Sequence, residues 1–361
     1  MKLWAIVFFL LPLIGAAYVS LRIWHILPFM SWIKTLLTSM VWVGLAVMVM
    51  NFVVGLDGIP LPLARVMYNV GNSWLFIMLY LFMTFLLLDI LRFCHVLPRE
   101  YLFSSMKGSL AIALFIISVF VYGNIHYRDK QRVTMELRSS KPLQRPLKVV
   151  MMSDLHLGYH NPRAEFARWV DMVNAEHADM ILIAGDIIDI SVRPLIEEDV
   201  ASEFQRLNAH VYACLGNHEY YSGTSKARQF VKDAGITMLC DSSVVVDDLC
   251  IIGRDDRTNS NRKSVKQLVD NADTKHFTIL LDHQPYNLEE AEQSGVDFQF
   301  SGHTHYGQVW PISWITDAVY ECAFGEYQRG NTRYYVSSGI GIWGGKYRIG
   351  THSEYIVATI K

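Results

Sequence analysis

Met180-Ile181-Leu182-Ile183-Ala184-Gly185-Asp186-Ile187-Ile188-Asp189 is the stretch that decides the fold of the C-terminal part. An apolar run this short, closed by a glycine, suits a strand buried on both faces of a sheet. Asp186 and Asp189 then follow at once. The same pattern recurs on either side. Leu147-Lys148-Val149-Val150-Met151-Met152 runs into Ser153-Asp154-Leu155-His156. His210-Val211-Tyr212-Ala213-Cys214-Leu215 runs into Gly216-Asn217-His218-Glu219. Phe277-Thr278-Ile279-Leu280-Leu281 ends at Asp282-His283, and Asp297-Phe298-Gln299-Phe300-Ser301 ends at Gly302-His303-Thr304-His305. Five expected strands each deliver polar, metal-competent residues at the C-terminal end, where open α/β sheets place their sites. Residues 164–174, with Phe166, Trp169, Val170 and Val173 at helical spacing, and residues 198–208 read as helices. Val133, Met135 and Leu137 alternate with polar residues, as in a half-buried first strand. Alternating strands and helices predict an α/β fold.

The residues gathered at the strand ends are carboxylates, an amide and imidazoles, with no thiolate. That donor set suits Mn, Fe or Zn and not a structural cysteine site. In a strand Asp154 and His156 share a side, as do His303 and His305 where the strand continues. The glycines before Asp186, Asn217 and His303 permit sharp turns and close backbone approach.

In order and spacing these five blocks resemble the calcineurin-like metallophosphoesterase superfamily, over roughly residues 148–361. The resemblance implies a four-layer α-β-β-α sandwich and two divalent metal ions. It implies one ion on Asp154, His156, Asp186 and His305, and another on Asp186, Asn217, His283 and His303, with Asp186 shared. Water activated between the ions would attack phosphorus in line. His218 would protonate the leaving group or stabilise the transition state, Asp189 would orient it, and Glu219 would hold the loop. Within the superfamily the chain is similar to membrane-associated bacterial phosphodiesterases, through residues 302–308 and 335–341. Tyr306 stands where that pattern usually has Gly, which would narrow the pocket. A phosphoprotein phosphatase would carry an Arg directly after Asp189, and this chain has Ile190 and Ser191. Tyr306 and Arg254 are the candidate substrate contacts. Arg254 shares a polar loop with Arg257, Arg262 and Lys263, whose bland alternative is a solvated surface.

The N-terminal part is of another kind. Over the 361 residues, 52% are hydrophobic and 18% charged, below the roughly 25% charge of soluble domains. The formal net charge of -2, without a dominant basic face, argues against a nucleic-acid partner. Residues 3–21, 35–56, 66–88 and 108–127 contain no Asp, Glu, Lys or Arg. Each approaches the ~20 residues that a helix needs to cross a bilayer. Trp4, Trp24, Trp32, Trp42 and Trp74 lie mostly near their ends. The expected organisation is a four-helix transmembrane region over 1–127, a linker and first strand over 128–147, and the catalytic domain over 148–361. A cleaved signal peptide is the alternative for the first segment, since Lys2 precedes it and Gly15-Ala16-Ala17 would suit a peptidase.

Lys2, Arg65, Arg128, Lys130 and Arg132 would face Arg22, Lys34, Arg92, Arg99 and Lys107, a five-to-five balance that gives no orientation. Cys214, Cys240, Cys250 and Cys322 form no dense framework, which leans toward a reducing, cytoplasmic side. The expectation is a multi-pass protein, of a bacterial inner membrane by the resemblance, with membrane lipids and a lipid-linked phosphate substrate as partners. Trp310, Ile312, Trp314 and Ile315 would then line an acyl groove, or else pack in the core. A soluble substrate with the helices as anchor, and a membrane sensor with a vestigial site, are the competing functions.

Overall fold

The computed structural model describes residues 3–361, with side chains from Leu10 onward. Lys2 and the Trp4 side chain lie outside the described residues. The chain divides into two compact units. One runs to Ile125 and includes Gly344–Tyr347; the other holds His126–Trp343 and Arg348–Lys361.

The first unit is helical. Its apolar stretches form α1 (Leu3–Ile26), α2 (Ser31–Val53), α3 (Leu61–Phe93) and α4 (Met106–Arg128). Among the described residues, α2, α3 and α4 are long and apolar enough to cross a membrane, and Leu10–Ile26 of α1 is a shorter apolar segment. The expected four spans therefore become three strongly apolar helices plus this shorter one. Part of their apolar surface faces outward: Leu36, Phe52, Leu87 and Leu114 are all exposed. Arg22 of α1 is buried and meets Asp89 of α3 at 3.0 Å. The Tyr18 hydroxyl donates to the same carboxylate at 2.6 Å. Charges inside an apolar bundle persist when paired in this way.

The second unit is a sandwich of two mixed six-stranded sheets. Its elements in chain order are β1 (Lys130–Leu137), β2 (Leu147–Met152), α5 (Arg163–Asn174), β3 (Met180–Ala184), α6 (Arg193–Glu197), α7 (Ala201–Phe204), β4 (His210–Cys214), α8 (Asn217–Tyr221), α9 (Thr224–Asp233), β5 (Thr237–Met238), β6 (Ser242–Val246), β7 (Leu249–Gly253), α10 (Val265–Asp270), β8 (Phe277–Leu281), α11 (Glu289–Gln293), β9 (Phe298–Ser301), α12 (Ile312–Val319), β10 (Gly325–Arg329), β11 (Thr332–Val336) and β12 (Ser353–Ile360). One sheet has the order β1-β12-β2-β3-β4-β5 and the other β10-β11-β9-β8-β7-β6.

Period-two alternation places the core. Val149, Met151, Leu182, Ile251, Ile279 and Phe298 pack between the sheets. Their neighbours Val150, Ile181 and Ile183 point the other way, onto Phe166, Trp169 and Val170 of α5 and Phe230 of α9. Cys250, Ile252 and Leu280 cover the outer face of the second sheet with Val265 and Leu268 of α10. Strand β3 is apolar throughout, and β2, β4 and β8 nearly so (Lys148, His210 and Thr278 are the exceptions), because both of their faces are covered. Edge strand β1 keeps the alternating pattern, with Met135 and Leu137 buried.

Two expectations need correction. The helix expected over residues 198–208 is instead α6 and α7, each a single turn or so, separated by a left-handed Asp199 (φ 52°) that interrupts helical backbone. Asp154, His156, His303 and His305 do not continue their strands: β2 stops at Met152 and β9 at Ser301. All four residues take left-handed backbone, with φ of 55°, 45°, 72° and 48°. A turn, and not strand alternation, aims these side chains.

Candidate metal centre

Five loops, one after each of β2, β3, β4, β8 and β9, close over the same end of the sandwich and bring the expected side chains together. Their approach requires glycine at two positions. A Cβ on Gly216 would stand 2.2 Å from Asp186 Oδ1, and one on Gly302 would stand 2.3 Å from Asp154 Oδ2. Any side chain there would push a carboxylate out of place.

Asp154, His156 and His305 form one group that could hold a metal ion, and Asp186, His283 and His303 form another. In the first, His156 Nε2 faces His305 Nε2 at 3.1 Å, and Asp154 Oδ1 lies 3.5 Å from His305 Nε2 and 3.8 Å from His156 Nε2. In the second, His283 Nε2 lies 3.1 Å from Asp186 Oδ2 and 3.2 Å from Asn217 Oδ1. Asp186 Oδ2 is also 3.6 Å from His156 Nε2, which places this carboxylate between the groups. Asp154, His156, Asp186 and His283 are essentially inaccessible to solvent.

The arrangement fits divalent cations on three grounds. Asp154 and Asp186 are buried carboxylates whose ion-pair partners are imidazoles alone, a costly cluster unless cations offset it. His156 Nδ1 is 3.2 Å from Asp189 Oδ1 and His283 Nδ1 is 2.8 Å from Ala184 O. With Nδ1–H donating to these oxygens, each ring turns its Nε2 lone pair inward, the arrangement of a ligand histidine. His305 Nδ1 is buried without a hydrogen-bond partner.

The electrostatics follow from the same crowding. Burial works to raise the Asp154 and Asp186 pKa values, yet the surrounding imidazoles hold both well below the usual carboxylate range. Burial works to lower His156, but Asp154 and Asp189 push it up to about 10. His303 is brought down to about 4 by burial and by the neighbouring His283. Without cations, protons on some of these rings balance the carboxylates, and cations would displace them.

Around this cluster sit the supporting groups. Glu219 is fully buried and accepts from the backbone N–H of Gly216 (2.7 Å), Ile188 (3.0 Å) and Asp186 (3.1 Å), tying two of the loops together. His218 is partly exposed; its Nδ1 lies 3.1 Å from Asp189 O and 3.4 Å from Asp189 Oδ1. His156, Asp189 and His218 also cluster closely enough to suggest a metal group. Because Asp189 meets the Nδ1 atoms of both rings, it acts there as a hydrogen-bond acceptor.

Tyr306 is half-buried, with φ 46°, and its ring stacks on Phe324 at 5.0 Å. Arg254 requires correction as a substrate contact. It is buried and held by Asp282 at 3.1 Å and Glu290 at 2.8 Å. Its charge is spent on the fold, and Asp282, further held by Arg262 at 3.0 Å, is an anchor of the same loop.

Two buried residues here were not singled out from sequence. His160 Nδ1 lies 3.7 Å from Asp189 Oδ2, with Nε2 against the Ile342 carbonyl. Arg348 reaches the His305 carbonyl at 2.7 Å. Neither belongs to a strand-end block, so no spacing pattern pointed to them.

Comparison with known proteins is consistent with this geometry. The model of the calcineurin-like phosphoesterase family matches residues 147–307. An uncharacterized metallophosphoesterase of Aquifex aeolicus is 30% identical over 258 residues, covering 68% of this chain and 97% of the relative. One of Campylobacter jejuni is 29% identical over 260 residues, 69% of each chain. A Danio rerio transmembrane protein with metallophosphoesterase domain is 29% identical over 286 residues, 73% of this chain and 65% of the relative's own length.

Proposed function

The chain belongs to the calcineurin-like phosphoesterase family, and on that premise we propose that it is a membrane-anchored hydrolase using two divalent cations to cleave a phosphodiester or pyrophosphate bond of a lipid-linked substrate. Asp186 carries this proposal: its Oδ2 stands within reach of His283 and of His156, one from each donor group. Asp154, His156 and His305 would complete one site, and Asn217, His283 and His303 the other. Bound divalent cations supply the acidity that makes water nucleophilic near neutral pH and the charge that offsets phosphoryl oxygens.

The protein groups do the rest. Asp189 accepts from His218 Nδ1–H and leaves His218 Nε2 directed away from it, available to protonate a departing oxygen. Glu219 and the glycines keep the strand-end loops from drifting apart, so the donors are organised in advance.

The lipid-linked substrate is supported by a surface patch. Trp310, Trp314, Ile315 and Val319, on and beside α12, are 44%, 65%, 63% and 54% exposed. They follow the His303–His305 block directly, and Tyr306 Oη approaches Asp317 of α12 at 3.4 Å. Large apolar side chains left in water at such density mark a surface that meets apolar matter. The five cysteines are all unpaired, which supports a reducing side of the membrane.

Hydrolysis of a panel of lipid phosphates and nucleotide-linked lipids, beside bis-p-nitrophenyl phosphate, tests the substrate class on detergent-purified full chain. A lipid substrate is expected to be turned over well above the generic diester. The double change Trp314→Ser, Ile315→Ser is expected to raise KM for the lipid substrate about tenfold or more, from the apolar area lost. The generic diester should be unaffected. Equal loss on both, or a soluble nucleotide as the best substrate, would replace the lipid with a soluble phosphoester.

A further inference from the structure

Arg348 heads the largest fully buried side chains of the described residues, and its burial has an unusual form. All its hydrogen-bond acceptors are neutral. Nη1 donates to the His305 carbonyl at 2.7 Å and to Thr351 Oγ1 at 3.4 Å. Nη2 donates to the carbonyls of Ser338, Gly339 (3.3 Å) and Gly341 (3.1 Å). Nε donates to Ser353 Oγ at 3.2 Å. A buried guanidinium is costly to desolvate, so a fork that spends itself on carbonyls is holding those carbonyls in place.

The two backbone segments it joins are the 338–341 loop, which packs against Asp154, and the turn that carries His305. On one side, the 338–341 loop is pressed against Asp154. Ile340 N donates to Ser153 O and Gly341 N to Asp154 O, both at 3.1 Å. A Cβ on Gly339 would stand 2.7 Å from Asp154 Cβ. On the other side is the turn of His305, Tyr306, Gly307 and Gln308, with φ of 48°, 46°, 70° and 64°. Three of these four are L-residues in a conformation that they avoid, so something outside the turn must impose it. The segment after Arg348 does so. Ile349 N and Thr351 Oγ1 both donate to Gln308 O, at 3.2 Å and 3.0 Å.

We propose that Arg348 is the positioning residue of one half of the metal centre. It fixes the Asp154 loop and the His305 turn at the separation at which those side chains share a cation with His156. Among the described residues no hydrogen bond or ion pair joins Arg348 to Asp186, Asn217, His283 or His303, and that half meets the Asp154 side through the His303 N–H, which donates to Asp154 at 3.1 Å. This rests on the two-cation proposal above.

Mn²⁺ binding to the full chain in detergent is the test, read as ions per folded chain and as the electron paramagnetic resonance signal of coupled or isolated Mn²⁺. The variants are Arg348→Lys, Ser353→Ala and, as a control, Thr332→Val. Lysine keeps the charge but has no planar fork to bridge the segments. Thr332 donates to Val296 O at 2.6 Å at the far end of β11, so its loss destabilises the fold away from the centre. Arg348→Lys is expected to hold one Mn²⁺ where the wild type holds two, the weakened site losing about tenfold or more in affinity, with an isolated-ion signal. Thr332→Val should keep two. Should Arg348→Lys fail to fold, Ser353→Ala, which removes one acceptor, should weaken the same ion several-fold and leave the other unchanged. Folded Arg348→Lys or Ser353→Ala with wild-type affinity for both ions, or with both ions weakened equally, would overturn the proposal. A wild-type chain that binds no pair of ions would overturn the two-cation centre itself and Arg348's role with it.

Discussion

The Asp186→Asn chain is expected to fold as the wild type does and to lose about 10³-fold or more in kcat/KM. The basis is position. Among the described residues, Asp186 is the carboxylate that lies within 3.6 Å of imidazole nitrogens from both donor groups. An amide of the same shape keeps an acceptor for His218 N–H, which Asp186 Oδ1 now accepts at 2.9 Å. It presents a neutral group, and in one orientation an N–H donor, where two cations require shared negative charge. Transition-state charge stabilisation by metal ions is worth several kcal/mol, and about 4 kcal/mol corresponds to 10³-fold in rate. The checks are steady-state kinetics, metal per chain and a far-ultraviolet circular dichroism spectrum. Near-normal turnover from a folded Asp186→Asn chain would contradict the shared-ligand assignment.

His218→Asn is expected to cost about 10²- to 10⁴-fold in kcat, the range of a positioned general acid, and to retain both ions. The side chain of His218 meets Asp189, not Asp154 or Asp186, and its backbone N–H bond to Asp186 survives the change. A general acid also leaves a chemical signature. An aliphatic leaving group needs the proton, whereas p-nitrophenolate departs with far less help. The loss should therefore be larger for an alkyl ester than for a p-nitrophenyl ester. Equal losses on both, or loss of bound metal, would assign His218 to structure or to ligation instead.

The sequence made the second unit legible because its strands are buried on both faces. Strands β2, β3, β4, β8 and β9 are short, mostly apolar runs that end in polar blocks, and residues of those blocks form the groups that could hold metal ions. Among the strands that escaped notice, β6 and β10 lie at sheet edges: β6 has exposed Ser242, Ser243 and Val245, and β10 alternates between half-buried and exposed positions. Strand β12 begins Ser353-Glu354, a polar start that hid its central place between β1 and β2.

Side-chain direction was harder. The spacing of Asp154 and His156 suggested a strand, but a left-handed turn does the aiming, and no pattern of hydrophobicity encodes that. Arg254 shows the limit for charges. Next to Asp255, Asp256 and Arg257 it reads as part of a solvated loop, whereas its partners Asp282 and Glu290 are 28 and 36 residues away. Arg348 was invisible for the same reason, since its partners include His305, 43 residues earlier.

The most direct test of the central claim, hydrolysis driven by two cations on these residues, is one titration. Full chain purified in detergent is stripped with chelator, then supplied with Mn²⁺ while bound metal and hydrolysis of bis-p-nitrophenyl phosphate are followed together. The account predicts no turnover in the stripped protein and activity that rises with occupancy to a plateau at two ions per chain. Turnover that persists in the stripped protein, or a chain loaded with two ions that hydrolyses no phosphoester, would contradict it.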